Sequence, residues 1–227
     1  MAKTLVAQEQ SIQKVFSDDY VFRIPDYQRP YSWTTEQARE LVEDLLGFVQ
    51  ANPGLVAEMP PYFLGSIVLI KGDAPDADVV DGQQRLTTLT LLLAAVRANI
   101  DPALRAQITK RLYEQGDTFA GTADRFRLTL RERDAEFFKK YVQLDGGFDG
   151  LLKLQAGLAD SHLNLRDNAR YFQKRLAEMN ETERVELAQF ILQRCYLVIV
   201  ATPDEASAYR IFSVLNSRGW ISRRPIS

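Results

Sequence analysis

Apolar positions recur at three-to-four spacing in some windows and at alternate positions in others, so the chain mixes helices with strands. Leu5 to Phe16 reads as a short helix with Leu5, Ile12, Val15 and Phe16 on one face. Tyr20 to Ile24 alternates and then meets Pro25, which ends a strand there. Thr34 and Gln37 form a capping-box pair that opens a helix. Its core-facing stripe is Ala38, Leu41, Val42, Leu45, Leu46 and Val49, and Asn52-Pro53-Gly54 stops it. Tyr62 to Ile70 is a strand with a bulge at Gly65, and Ala77 to Val80 is a second, shorter one. Gly82 to Ile100 is a strongly apolar helix, buried on most sides.

Beyond Asp101-Pro102 the pattern turns helical, over Ala103 to Glu114, Arg133 to Val142, His162 to Met179 and Glu181 to Gln193, with a strand at Arg125 to Leu130. Cys195 to Ala201 is an apolar strand, and Asp204 to Leu215 is a final helix. The fold class is therefore α+β. A mixed first segment (1–101) precedes a mostly helical region (102–193) and a returning strand and helix (194–227). No internal repeat is visible.

Composition narrows the function classes. The 227 residues are 46% hydrophobic and 26% charged, which excludes a disordered or low-complexity chain. A formal net charge of -2 argues against a global grip on nucleic acid and leaves room for a local basic groove. One Cys (Cys195) forms no internal disulfide, which fits a reducing, cytoplasmic compartment. One His (His162) and one Cys leave too few soft ligands for a zinc site. No secretory core is seen at the start, and no run approaches the roughly 20 apolar residues a membrane span needs.

Three segments hold candidate chemistry. Ile24 to Trp33 (IPDYQRPYSW) places Tyr27, Gln28, Arg29, Tyr31 and Trp33 in one loop. Pro30 extends Arg29, whose guanidinium suits phosphate, and the rings offer stacking faces. Equally, the rings pack inward and Arg29 pairs with an acid. Asp81-Gly82-Gln83-Gln84-Arg85 sits at a strand-to-helix junction, where free helix-start N–H groups can receive a phosphate oxygen. Asp81 suits a Mg²⁺ or water contact. On spacing alone, however, Asp81 and Gln84 read as an N-cap pair. Ile211 to Gly219 (IFSVLNSRG) reads as a helix ending at Asn216, with Arg218 and Gly219 beyond. The spacing favours a C-cap over a polar pocket shared by Asn216 and Arg218. Arg125, Arg127, Arg131 and Arg133 make a basic stretch that reads as a solvated face. His162 reads as a satisfied or surface histidine and Cys195 as a buried, inert thiol.

Taken in order, IPDYQRPYSW, YFLGSIVL, VVDGQQRLTTL and AYRIFSVLNSRG resemble the N-terminal domain of GmrSD-type restriction endonucleases, from about residue 8 to residue 219. The resemblance implies a ParB/sulfiredoxin-like small mixed sheet with helices. It implies a nucleoside triphosphate as ligand or substrate, Mg²⁺, and control of DNA cleavage in modification-dependent, phage-defence restriction. Carried over, Asp81 and Arg85 would be catalytic, with Asp81 the metal contact. Tyr27, Gln28, Arg29, Gly82, Gln83, Gln84, Asn216 and Arg218 would bind the nucleotide. The resemblance turns the reading of the second and third segments from caps to site. Two departures accompany it. Family members continue past the Asn-Ser-Arg-Gly motif, so this chain is expected to be truncated relative to them. Its Trp220 to Ser227 tail also lacks the expected helix start. A lone His162 cannot supply HNH cleavage, so a nuclease domain or subunit on another chain would be needed. Against the NTPase stand a non-catalytic sensor of modified DNA, using Tyr27, Tyr31, Trp33 and the basic stretch, and an inactive truncated fragment. Direct phosphodiester cleavage by this domain ranks last, for want of a carboxylate or His constellation.

Overall fold

The computed structural model describes residues 5–155 and 157–219, and of 216–219 the backbone alone. Six strands form one sheet in the order β1 (Val6–Ser11), β8 (Cys195–Thr202), β3 (Tyr62–Ile70), β4 (Asp76–Asp81), β2 (Val21–Arg23) and β7 (Leu128–Thr129). β8 runs antiparallel to β1 and parallel to β3, while β4 is antiparallel to β3 and parallel to β2. β7 extends the far edge, parallel to β2. A separate ribbon pairs β5 (Tyr113–Glu114) with β6 (Arg125–Phe126). The α+β class holds. The strand expected over Arg125 to Leu130 is split, because β6 and β7 pair with different partners.

The helices are α1 (Ile12–Val15), α2 (Thr35–Ala51), α3 (Gln83–Ala98), α4 (Pro102–Leu112), α5 (Glu132–Phe138), α6 (Gly147–Lys153), α7 (Asp160–Ala177), α8 (Glu181–Arg194) and α9 (Glu205–Gly219). α3 is central. Leu86, Leu89, Leu91, Leu92, Leu93 and Val96 are all buried, each side chain stabilising the fold by about 1.5–3 kcal/mol relative to exposure. The hydroxyls of Thr87, Thr88 and Thr90 donate back to carbonyls one turn earlier at 2.8 Å, which lets polar residues sit in this apolar setting. α2 begins with the expected Thr34–Gln37 capping box and buries Ala38, Val42, Leu45 and Leu46.

Further expected elements differ, among them the helix expected over Ala103 to Glu114, which ends at Leu112 where Tyr113–Glu114 pairs as β5. Leu5 to Phe16 is not one helix: Val6–Ser11 is a strand and only Ile12–Val15 is helical. Gln8, Glu9 and Gln10 favour helix locally, but every residue of this stretch is paired with β8, and tertiary pairing overrides propensity. The helix expected over Arg133 to Val142 is α5 followed by a π-helical turn, Lys139–Gln143. Buried Arg97 explains that turn. Its guanidinium donates to the carbonyls of Val142, Gln143 and Leu144 at 2.7–3.1 Å, satisfying the helix end.

One face of the sheet carries the main core beneath α2, α3, α7 and α8. α9 lies on the other face, packing Ala208 on Val68 and Val80, with Ile70, Tyr209, Ile211 and Phe212 around them. Among the described residues no helix is long and apolar enough to cross a membrane.

Candidate functional site

The junction between β4 and α3 departs from the simple cap reading. Asp81 is the last residue of β4, opposite Val68, and Gly82 takes the N-cap position with φ 94°. No side chain caps α3. Asp81 lies too early in the chain to cap, so the Asp81–Gln84 capping box does not form. The N–H groups of Gln83, Gln84 and Arg85 therefore open the helix without a side-chain acceptor, and the first helical bond runs from Leu86 to the Gly82 carbonyl. Gly82 is required here. A Cβ would lie 2.3 Å from Cγ2 of Ile67, and the positive φ disfavours other residues.

Arg85 reaches from the first turn of α3 to β3, where Nη1 donates to the Ser66 carbonyl at 3.2 Å. It lies over Gly65, where a Cβ would meet the guanidinium at 3.2–3.4 Å. The expected bulge of β3 is present between Phe63 and Ser66, and it makes this room. Burial lowers the Arg85 pKa, and the Asp81 carboxylate partly offsets that, so Asp81 and Arg85 are electrostatic neighbours.

The glutamines of the motifs face one another. Gln28 donates to the carbonyls of Val80 (3.0 Å) and Val79 (3.4 Å) and accepts from Gln83 at 3.3 Å. Gln84 accepts from the backbone N–H groups of Ser32 and Trp33 and donates to the Pro30 carbonyl. These bonds hold the Ile24–Trp33 loop against β4 and α3. Tyr31 is buried, its hydroxyl 2.8 Å from both Thr88 Oγ1 and Asn168 Nδ2, and burial pushes its pKa up to about 12. Trp33 packs on the core, and its carbonyl accepts from Asn168. Of the loop's candidates, Tyr27 and Arg29 face solvent. Tyr27 lies 6.3 Å from the Tyr209 ring of α9, and partial desolvation together with Tyr209 raises its pKa. Arg29 makes no hydrogen bond or ion pair with the described residues.

The structure thus brings Gln28, Gln83, Gln84 and Arg85 together beside Asp81 and Gly82 at the start of α3, whereas Tyr27 lies beside Tyr209 of α9 and Arg29 makes no bond to the junction. α9 runs helically through Asn216 to Gly219, so the C-cap expected at Asn216 does not occur; Asn is tolerated within a helix. The side chains of Asn216 and Arg218 lie outside the described residues. The basic stretch is a solvated face in part: Arg125 and Arg133 are exposed, whereas Arg127 and Arg131 are turned inward. Buried Arg127 pairs with Asp18 at 2.6 Å, Arg125 with Asp18 and Glu114, and Arg131 with Asp134 at 2.8 Å. His162 stacks on Phe137 (3.8 Å, 2°) beside Asp134. Cys195 is a buried free thiol whose pKa burial raises. Sequence reasoning missed Asn168 and Tyr209, because nothing local in α7 or α9 marks a residue that anchors a loop some 135 or more positions away; only the fold brings them together.

Among the described residues no group of three or more His, Cys, Asp or Glu could hold a metal ion. Asp81 belongs to no such group, which fits Mg²⁺ arriving with phosphate ligands rather than a protein-only metal cage.

These features define a mixed α+β domain in which Gln28, Gln83, Gln84 and Arg85 meet at one strand–glycine–helix junction. The chain belongs to the family of the GmrSD restriction endonuclease N-terminal domain, whose family model matches residues 12–220. Comparison with curated proteins finds no match. The membership relates the domain to DNA-restriction systems.

Proposed function

We propose that the domain binds a nucleoside triphosphate at the start of α3 and hydrolyses it, and that this regulates DNA cleavage by a nuclease domain or subunit. The observation that carries the reading is the uncapped helix start, with Asp81 and Arg85 on either side of Gly82. Free N–H groups and the helix dipole favour phosphate there. Gly82 supplies the positive φ with which the chain turns from β4 into the helix start. Arg85 and the unpaired Arg29 stabilise charge on the transferring phosphoryl group, and Asp81 orients the attacking water or holds the metal. Gln28, Gln83 and Gln84 position this frame, since their amides are largely occupied by one another and by the backbone. Mg²⁺, when bound with the nucleotide, would neutralise phosphate charge.

The test is calorimetry with Mg²⁺ and ATP, GTP, CTP or UTP on the wild type, Asp81→Ala and Arg85→Ala, followed by phosphate release. Saturable binding lost in both variants is expected, together with phosphate release above the Asp81→Ala control. No binding by folded wild type overturns the reading. Binding without release above that control removes the hydrolysis alone. The DNA-sensor reading is weaker: Tyr31 is held inward by Asn168 and Thr88 and the half-buried Trp33 packs against the core, which leaves Tyr27 as the exposed ring of the loop.

A further inference from the structure

A second concentration of positive charge, only partly paired, lies around α4, apart from the α3 junction. α4, the ribbon strand β5 and the Ser17–Asp18 turn border a cavity of about 640 Å³. Its wall carries Arg105, Lys110, Arg111 and Arg127, and also the carboxylates of Asp18, Glu114 and Asp145. The carboxylates beside them are already engaged: Asp18 with Arg127 and Arg125, Glu114 with Arg125, and Asp145 with Arg97. Among the described residues, Arg105, Lys110 and Arg111 have no carboxylate within ion-pair distance. Arg105 and Arg111 donate to single backbone carbonyls, those of Ile100 and Gln13.

Two buried donors on this wall also lack acceptors. Arg127 is 4% exposed. Its Nε and Nη2 are bonded to the Lys110 carbonyl and Asp18, yet its buried Nη1 has no hydrogen bond, only a 3.9 Å ion-pair contact with Glu114. Nε of Arg111 is buried and unpartnered as well. Burial and the positive charge of Arg127 lower the Arg111 pKa, and the Asp18 carboxylate offsets part of that, so the two guanidinium groups repel one another across this wall with Asp18 as a partial counter-charge. Charge at the C-terminal end of α4 accounts for basic residues in its last turn. It does not account for buried donors left without acceptors, which native proteins ordinarily satisfy.

We propose that this cavity is a second anion site, which takes a phosphate group through Arg111, Lys110 and Arg105, with Arg127 as the buried backing charge. Phosphate fits because its several oxygens can accept from more than one guanidinium at once, and its charge offsets their repulsion. The phosphate can belong to a free polyphosphate or to a nucleic-acid backbone, and the experiment separates the two.

Tripolyphosphate is titrated by calorimetry at fixed ionic strength into the full chain carrying Arg85→Ala, which removes the buried cation of the α3 junction. The same background with Lys110→Gln and Arg111→Gln is the comparison. Both replaced residues lie at the cavity surface, and far-UV circular dichroism checks that each protein is folded. Saturable binding in the first protein, weakened at least about tenfold in the second, is expected from the loss of two charge-assisted contacts. Absence of saturable binding in the first, or equal affinity in both, overturns the proposal. A short DNA duplex that displaces tripolyphosphate identifies backbone phosphate as the source. Failure to displace identifies free polyphosphate. Either result upholds the site.

Discussion

A methyl group at position 82 would stand 2.3 Å from a side-chain carbon of Ile67, on a backbone already at φ 94°. Gly82→Ala should therefore destabilise the fold by about 1–3 kcal/mol, from strain and overpacking together. A lower urea midpoint with an unchanged slope would show it. Asp81 makes the opposite case. It forms no cap, so Asp81→Ala should change stability by less than about 0.5 kcal/mol while abolishing nucleotide binding. A loss of more than about 1 kcal/mol would return Asp81 to the role of structural cap, since caps are worth that much. Sequence spacing alone could not separate these roles. Asp and Gln three apart match a capping box, and only the positive φ of Gly82 shows that the helix begins one residue too late for it.

At the scale of elements, the loop Ile24–Trp33 is ordered from α3 and α7 rather than from within. Gln84→Leu keeps the volume but leaves the N–H groups of Ser32 and Trp33 without their acceptor, and should lower stability by about 1–3 kcal/mol in chemical denaturation. α2 and α7 are joined by Glu43, which accepts from Arg175 and Tyr171. Arg175 first, then Tyr171, holds the Glu43 pKa below its ordinary 4.5. A depressed carboxylate stabilises above its unfolded pKa and loses that contribution as pH falls through the folded one. Glu43→Gln should thus lower stability near neutral pH by no more than about 1 kcal/mol, because the pair is partly exposed. The difference from wild type should vanish as pH drops well below 4.5. What was legible at this scale follows burial. α2, β3, β8 and the apolar α3 bury continuous stripes and were readable from their spacing. β1 is a polar edge strand made by its partner, and the π-helical turn exists because Arg97, far off in sequence, caps it. Neither leaves a local trace. The site was readable as motifs, but its division of labour was not, since which amides face each other is set by the fold.

For the whole molecule, the decisive element is β8. It lies between β1 and β3, so the main sheet closes only when the strand beginning at Cys195 meets the strand beginning at Val6. Its core-facing residues Cys195, Leu197 and Ile199 are buried. β2 in turn gains its outer neighbour β7 from the helical middle of the chain. Strands from all three segments share one hydrogen-bonded sheet, and the long-range pairing is what holds α3 and its junction in place. The expectation is a single cooperative unit. Leu197→Ala should cost about 2–5 kcal/mol, as for a cavity in a packed core. A fragment of residues 1–194 would lack the partner of β1 and the neighbour of β3, and should show no cooperative urea transition by circular dichroism, where the full chain shows one. The fragment 1–101 is the sharper test, because it contains the whole Asp81–Arg85 junction. It lacks β7, β8 and α7, and with α7 goes Asn168, which fastens the loop. If it unfolded cooperatively on its own, the junction would be a self-sufficient unit and the later segments an addition to it. If it did not, the nucleotide site would depend on strands and helices supplied from the far end of the chain.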